Sequence, residues 1–175
     1  MEHNTGKKLT KQQVEILKKL YDNKEEEILS GVKILRENGG DFSIVPLMEI
    51  YFNTPYPEVR NTIGYLFSDI KDNKLENIIS GNILKYLNNQ YLNIFLSKLW
   101  QSTLKFSDLS VFVELFIKGD DKTALEAITI IEQSSADARN EDKKNAIELL
   151  NQNMEKLDNE FKRHLAVDLL NYLNN

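Results

Sequence analysis

The chain contains no cysteine, and none of its apolar runs is long. Without cysteine it has no disulfide framework, no thiolate metal site and no thiol catalysis, and it suits a reducing compartment. The longest segment without charge spans residues 86–97, well short of the about 20 apolar residues that a membrane helix needs. The first twenty residues hold five lysines but no continuous apolar core, so they do not resemble a secretory signal. We expect a cytoplasmic protein that does not enter a membrane.

Acidic residues also outnumber basic ones. The formal net charge is -5 and the sequence pI is about 5.2. Nucleic-acid binding depends on clustered Lys and Arg, so a nucleic-acid partner is disfavoured. The charge is uneven: residues 1–24 hold six Lys and three acids (6 − 3 = +3), whereas residues 105–137 hold three Lys and seven acids (3 − 7 = −4).

Apolar residues with helical spacing recur in five blocks, about every 32 to 33 residues. No block can bury its apolar stripe alone, so the pattern predicts stacked helix pairs. We expect a flexible tail over residues 1–9 and a single helical-repeat domain over residues 10–175. The predicted helix pairs cover residues 10–38, 41–71, 73–104, 107–133 and 138–174.

The inner faces of successive second helices fix the register of the repeat. Each of four helices carries three apolar residues with the same spacing of four and then three positions. Successive triplets lie 31, 33 and 32 residues apart, which unrelated amphipathic helices would seldom produce three times in a row. The triplets are Ile28, Val32, Leu35; Val59, Ile63, Leu66; Leu92, Leu96, Leu99; and Ala124, Ile128, Ile131.

Capping residues predict where several helices begin. Asp41 is expected to cap the third helix, which would place Pro46 in the first turn, where a missing N–H costs nothing. The last helix is expected to bury Phe161, Leu165, Leu169 and Tyr172, and Ser80–Gly81 is a possible break. The other predicted caps are Thr10 with Gln13, Asn73 with Glu76, Ser107, and Asp120 with Asp121.

Residues 44–70, IVPLMEIYFNTPYPEVRNTIGYLFSDI, resemble a HEAT repeat. Pro46 stands early in the first helix, a turn follows, and Val59 and Arg60 open the second helix. HEAT repeats often have an aspartate in that turn, where this chain has Thr54. The fourth pair keeps the length and the apolar pattern but has Val111 in place of the proline. The strict motif therefore covers about one fifth of the chain.

The resemblance implies an all-α fold, a right-handed α-solenoid of about five antiparallel helix pairs. First helices would lie on the convex side and second helices on the concave side. In this family such a surface mainly binds other proteins. A stacked surface without a deep closed pocket also suits extended partners better than small substrates.

Motifs for chemistry are absent from the sequence. There is no glycine-rich phosphate loop, serine elbow, paired metal histidines or kinase-type set, so we predict no enzyme, no catalytic residue and no cofactor. Glu160, His164 and Asp168 have a spacing that could hold a metal on one helix face, but a solvated surface stripe is the preferred interpretation. We predict no metal site.

Candidate partner-binding residues lie on the second helices and are Arg60, Asn61, Asn93 and Trp100. For Arg60, a structural bond to the neighbouring turn is favoured over a partner contact. For Trp100, a position in the core is favoured over a partner contact. Thirteen of the 16 aromatic residues fall between Phe42 and Phe116, where most fit the inner stripes and the tyrosines suit either core or interface.

The predicted function is a non-catalytic scaffold or adaptor that binds a protein or peptide along the second-helix surface. The chain would be a monomer or a weak homo-oligomer. One alternative is a HEAT-like enzyme of DNA-damage recognition or base excision, which the acidic charge disfavours. Another is a self-assembling structural protein, since open solenoid ends can stack.

Overall fold

The structure, a computed structural model, describes residues 8–157 and 159–174, and all regular elements in these ranges are helical. The predicted all-α class is confirmed. The predicted tail over residues 1–9 lies outside the described residues except for Lys8 and Leu9. The ten α-helices of the described ranges are α1 (Lys11–Leu20), α2 (Glu25–Asn38), α3 (Asp41–Asn53), α4 (Pro57–Ser68), α5 (Glu76–Ile83), α6 (Leu92–Gln101), α7 (Leu109–Lys118), α8 (Asp121–Ser135), α9 (Asn140–Asn153) and α10 (Glu160–Asn174). Short 3-10 turns occupy Asn73–Leu75, Leu84–Tyr86 and Met154–Lys156.

Internal contacts divide the chain into two compact units, one ending at Ile63 and the other beginning at Gly64. In the first unit, α1 packs against α2 and α3. In the second unit, α8 contacts both α6 and α10, while α7 contacts α9. The helices α7 and α8 also pack on each other, as do α9 and α10. Neighbouring helices therefore pack on each other. The solenoid arrangement, its right-handed superhelix and the single domain over residues 10–175 stay predictions.

The predicted inner faces of the second helices belong to the core. All members of the four triplets are buried except Leu66, which is half-buried. In α4 the adjacent Phe67 is fully buried, and its ring packs edge-on against Phe95 of α6, with the centroids 4.7 Å apart. The triplet register is thus correct, and at this place a larger side chain replaces one of its members.

Local capping rules succeed at two helix starts. The Thr10 hydroxyl accepts from the Gln13 amide, and the Gln13 side chain accepts from the Thr10 amide, so the capping box of α1 is confirmed. Asp120 caps α8 by accepting from the Thr123 amide at 2.8 Å. This bond lowers the pKa of the Asp120 carboxyl, because the amide stabilises its charged form. Both caps satisfy N–H groups that have no partner within the helix.

Two other predicted caps are wrong. Gly40 occupies the cap position of α3, so Asp41 is the first helical residue and Pro46 is the sixth. The proline therefore removes the amide that would bond to the Phe42 carbonyl. Asp108, not Ser107, caps α7 by accepting from the Ser110 amide at 3.1 Å. In both cases the helix start lies one or two residues from the predicted one.

The predicted pair of Asn73 and Glu76 bonds across the fold instead of capping a helix. The Asn73 side chain accepts from the Lys105 amide at 2.7 Å. The buried Glu76 carboxylate accepts from the Ser107 amide at 3.3 Å and from its hydroxyl at 2.7 Å. A tertiary partner some thirty residues away has replaced the local one, and it ties the loop before α7 to the start of α5.

The predicted inner stripe of α10 is correct at Leu169 and wrong at both ends. Phe161 and Tyr172 are 41% and 47% exposed and Leu165 is half-buried, whereas the buried residues are Lys162, Ala166, Leu169 and Leu173. The helix is rotated so that the Lys162 ammonium reaches the end of α7, where it donates to the Gly119 carbonyl at 2.6 Å and to the Ile117 carbonyl at 3.3 Å.

Earlier in the chain, α5 runs unbroken through Ser80 and Gly81 and tightens into a 3-10 turn only at Leu84.

Candidate protein-binding surfaces

Apolar and aromatic side chains protrude from three successive second helices in the second unit. Tyr65 of α4, Ile94 of α6 and Leu125 of α8 are 61%, 48% and 45% exposed. The buried residues of α6 and α8 lie on the other side of each helix, as expected for a 3.6-residue period. We name the second-helix surface after six residues: Tyr65, Ile94, Lys98, Trp100, Leu125 and Glu126.

Polar contacts connect the helices of the second-helix surface. The Lys98 ammonium lies 4.8 Å from the centroid of the Tyr65 ring, a cation–π contact that brings α4 and α6 together. On the other flank of α6, the Trp100 indole N–H donates to Glu126 Oε2 of α8 at 2.5 Å. These two contacts hold the larger side chains of the surface in place, which reduces the entropy lost when a partner binds.

Trp100 is half-buried, with its N–H engaged inside the protein. A partner would therefore meet part of the ring and not the N–H donor. The predicted role of Trp100 as a partner contact is compatible with this placement and stays a prediction. Ile94, Lys98, Leu125 and Glu126 were not predicted as partner contacts. For Glu126, a polar residue on α8 carries no sign in the sequence of a bond to α6.

Arg60, in the first unit, is bonded to the turn between α3 and α4. Its Nε donates to the Tyr51 carbonyl at 3.1 Å, and its Nη2 donates to the Thr54 carbonyl. Thr54 takes the place where HEAT repeats often have an aspartate, and here its backbone provides the acceptor. The geometry favours the structural alternative for Arg60 over a partner contact.

Replacing Arg60 with alanine should lower the free energy of unfolding by about 1–2 kcal/mol, because two carbonyls near the end of α3 lose a charged donor. Urea denaturation followed by far-ultraviolet circular dichroism measures the change. Asn61→Ala is the matched control: Asn61 is exposed on the next position of α4, and its loss should change stability by less than about 0.5 kcal/mol. Equal effects of the two substitutions would contradict the structural role.

The two predicted asparagines lie in different units. Asn61 is exposed on α4 within the first unit, and Asn93 is half-buried on α6 within the second. Asn93 lies one residue before Ile94 and so borders the second-helix surface. Their roles as partner contacts stay predictions.

A groove of about 720 Å³ in the first unit was not foreseen. The ends of α1 and α3, the turns that follow them and Ile28 of α2 line it. We name it the first-unit groove; its lining residues are Leu20, Tyr21, Asp22, Asn23, Ile28, Glu49, Ile50, Asn53, Thr54, Pro55 and Tyr56. Leu20, Ile28 and Ile50 are buried and form an apolar floor together with Pro55.

Hydrogen bonds order the polar rim of the first-unit groove. The Tyr21 hydroxyl donates to Glu49 Oε2 at 2.6 Å, and the Tyr56 hydroxyl donates to the Asn23 carbonyl at 2.9 Å. The latter bond joins the turns of the first two helix pairs, 33 residues apart. Applying the repeat offset to the turns as well as to the helices would have placed them side by side.

The stripe of Glu160, His164 and Asp168 is exposed on α10. Throughout residues 8–157 and 159–174, no three His, Asp or Glu side chains are placed to hold a metal ion. Over the same ranges, no helix is both long and apolar enough to cross a membrane.

Comparison with known proteins adds no relative: no family model matches the chain, and no curated protein or solved structure matches it. The resemblance to HEAT repeats therefore depends on Pro46, Val59, Arg60 and the repeat period.

Proposed function

We propose that this chain is a non-catalytic, HEAT-like interaction module that binds a protein or peptide along the second-helix surface. The observation that carries the proposal is the exposure of Tyr65, Ile94 and Leu125, which protrude from three successive second helices. Aromatic and apolar side chains are enriched at the centres of protein interfaces, where water is excluded. Single exposed apolar residues are common, but several of them on helices joined by surface contacts, as α4, α6 and α8 are, are typical of an interaction site.

Helix contacts in the second unit support the same proposal. Second helices meet second helices, since α8 contacts α6 and α10, and first helices meet first helices, since α7 contacts α9. This order is typical of stacked helix pairs, which bind extended partners along one row of helices. The bonds of Arg60 to its turn are compatible with a HEAT-like role for that residue.

The charge of the surface favours a protein over a nucleic acid as the partner. Lys98 of α6 and Glu126 of α8 have opposite charges, so the surface is not a basic stripe. Phosphate backbones require several clustered cations, and the chain as a whole carries a formal charge of -5.

The lack of cysteine supports a reducing compartment, and we place the module in the cytoplasm.

A double substitution tests the second-helix surface. Ile94→Asp with Leu125→Asp places two charges where the proposal requires an apolar contact, and both side chains are exposed enough for the fold to accept them. Tagged wild-type chain, purified from the native cell and analysed by mass spectrometry, should retain a protein that the double variant loses by about tenfold or more.

The control carries the same kind of change elsewhere. Val14 of α1 and Val167 of α10 are 38% and 47% exposed and lie outside the second-helix surface, so Val14→Asp with Val167→Asp should retain the partner. Circular dichroism must show equal helicity for both variants. A wild-type chain that retains no protein, or a partner that survives Ile94→Asp with Leu125→Asp, would refute the proposal.

A further inference from the structure

The first-unit groove is a second candidate site, separate from the second-helix surface. We propose that it binds a basic segment of a partner peptide. A lysine or arginine side chain of the peptide bonds at Asp22 and Glu49, and a neighbouring apolar side chain of the peptide packs on the floor of Leu20, Ile28 and Ile50. The inference does not depend on the proposed function, because no residue of the groove belongs to the second-helix surface.

Size and lining fit a short peptide segment. The groove volume of about 720 Å³ lies within the range of about 300–1,000 Å³ that is usual for binding sites. Its floor is made of buried aliphatic side chains and its rim of tyrosines, amides and carboxylates. Such a combination accepts the aliphatic stem of lysine or arginine and leaves the charged end at the rim.

The charge of the groove selects a cation. Its lining contains the two acids Asp22 and Glu49 and neither lysine nor arginine. Two lysines flank the lined turn: the Lys19 ammonium pairs with Glu27 at 2.6 Å, and the Lys24 backbone amide donates to Asp22. The next helix begins with Glu25, Glu26 and Glu27. Lys19 compensates the charge of Glu27, and the other two carboxylates add negative charge beside the groove. Attraction between opposite charges therefore favours a basic ligand and opposes a phosphate or a carboxylate.

The rim also offers suitable bonding geometry. Each carboxylate oxygen can accept more than one hydrogen bond, so the bond from the Tyr21 hydroxyl leaves Glu49 able to accept from an ammonium or guanidinium group. The Tyr21 and Tyr56 rings line the same groove, and aromatic faces attract cations. The bonds from both hydroxyls hold these side chains in place before the ligand arrives.

A peptide fits better than a metal ion. Two of the lining residues are acidic, and the described part of the chain has no cluster of three metal-binding side chains. The apolar floor has no function in metal binding, but it contributes to peptide affinity by burying apolar surface. The floor therefore distinguishes the two kinds of ligand.

Fluorescence anisotropy with the full chain and two labelled heptapeptides tests the proposal. The first peptide is Gly-Leu-Lys-Leu-Lys-Leu-Gly, and the second has glutamine in place of both lysines. The lysine peptide should bind about tenfold more tightly or better, and its affinity should fall as salt rises from about 50 to 300 mM. Glu49→Gln and Asp22→Asn should each weaken it by about threefold or more while keeping the local hydrogen-bond acceptors.

A matched control separates the groove from the overall charge. Glu37→Gln removes one exposed carboxylate of α2 outside the groove and should leave binding unchanged. The double variant Ile94→Asp with Leu125→Asp should also bind the lysine peptide normally, so failure of the second-helix surface can be told from failure of the groove. Equal affinity for both peptides, no binding of the lysine peptide below about 1 mM, or equal weakening by Glu37→Gln and Glu49→Gln would overturn the proposal.

Discussion

Lys162→Met should destabilise the second unit by about 1–3 kcal/mol, although methionine keeps most of the side-chain volume. Lys162 is 1% exposed, and its ammonium donates to the carbonyls of Ile117 and Gly119 at the end of α7. These carbonyls lie where a helix has no N–H groups of its own to offer. Methionine supplies no donor, so they lose a charged hydrogen-bond partner in a place that water reaches poorly. Lys162→Ala adds a cavity and should cost about 2–5 kcal/mol.

Urea denaturation of the full chain, followed by far-ultraviolet circular dichroism, measures both changes. Lys144→Met is the control, because the Lys144 side chain is 75% exposed and its only described ion pair, with Glu148 at 3.7 Å, lies on the surface. The control should change the free energy of unfolding by less than about 0.5 kcal/mol. An effect of Lys162→Met as small as that of Lys144→Met would show that this ammonium does not stabilise the end of α7.

The fold could be predicted from the sequence where apolar residues at helical spacing decide which face of a helix is buried. The triplets of α2, α6 and α8 are all buried, because an apolar stripe on one helix face is removed from water only when that face packs against the protein. The period failed at α10, where a lysine is buried and a phenylalanine is exposed. Burial of Lys162 depends on carbonyls more than 40 residues earlier in the chain, and no local pattern encodes such a partner.

Helix starts show the same limit. Thr10 and Asp120 cap as predicted because their partners lie three residues away. Glu76 has a suitable position for a local cap, but it bonds to Ser107 in the folded chain. Capping rules compare only local alternatives, so they fail where a tertiary partner competes.

The candidate sites were only partly predictable. The sequence places Trp100 on a second helix, but the bond to Glu126 depends on how α6 and α8 pack. The first-unit groove arises where two turns 33 residues apart come together, and each turn alone resembles an ordinary polar loop. A repeat period predicts which helices become neighbours. The spaces that remain between their turns depend on side-chain packing.

A methyl group added at Gly119, in the turn between α7 and α8, should destabilise the protein. One added at Gly81 of α5 should not. At Gly119 a Cβ atom would lie 2.7 Å from the Leu115 carbonyl oxygen and 2.5 Å from Thr123 Cγ2. The oxygen already accepts from the Gly119 amide at 2.8 Å, so moving it strains the end of α7. Gly119→Ala should therefore cost about 1–3 kcal/mol in unfolding free energy.

Gly81→Ala is the matched control and should have the opposite sign. No atom lies within 4 Å of a Cβ built at Gly81, which is inside α5, so alanine should stabilise the chain by about 0.5–1 kcal/mol through its higher helix propensity. Urea midpoints of the two variants measure both effects. Adding Thr123→Ser to Gly119→Ala removes the contact with Thr123 Cγ2 and leaves those with the Leu115 oxygen and with the Cβ of residue 123, at 2.8 Å. Partial recovery is expected, because the backbone contact remains and the same glycine provides the carbonyl that Lys162 holds. A Gly119→Ala variant as stable as Gly81→Ala would show that this turn can relax.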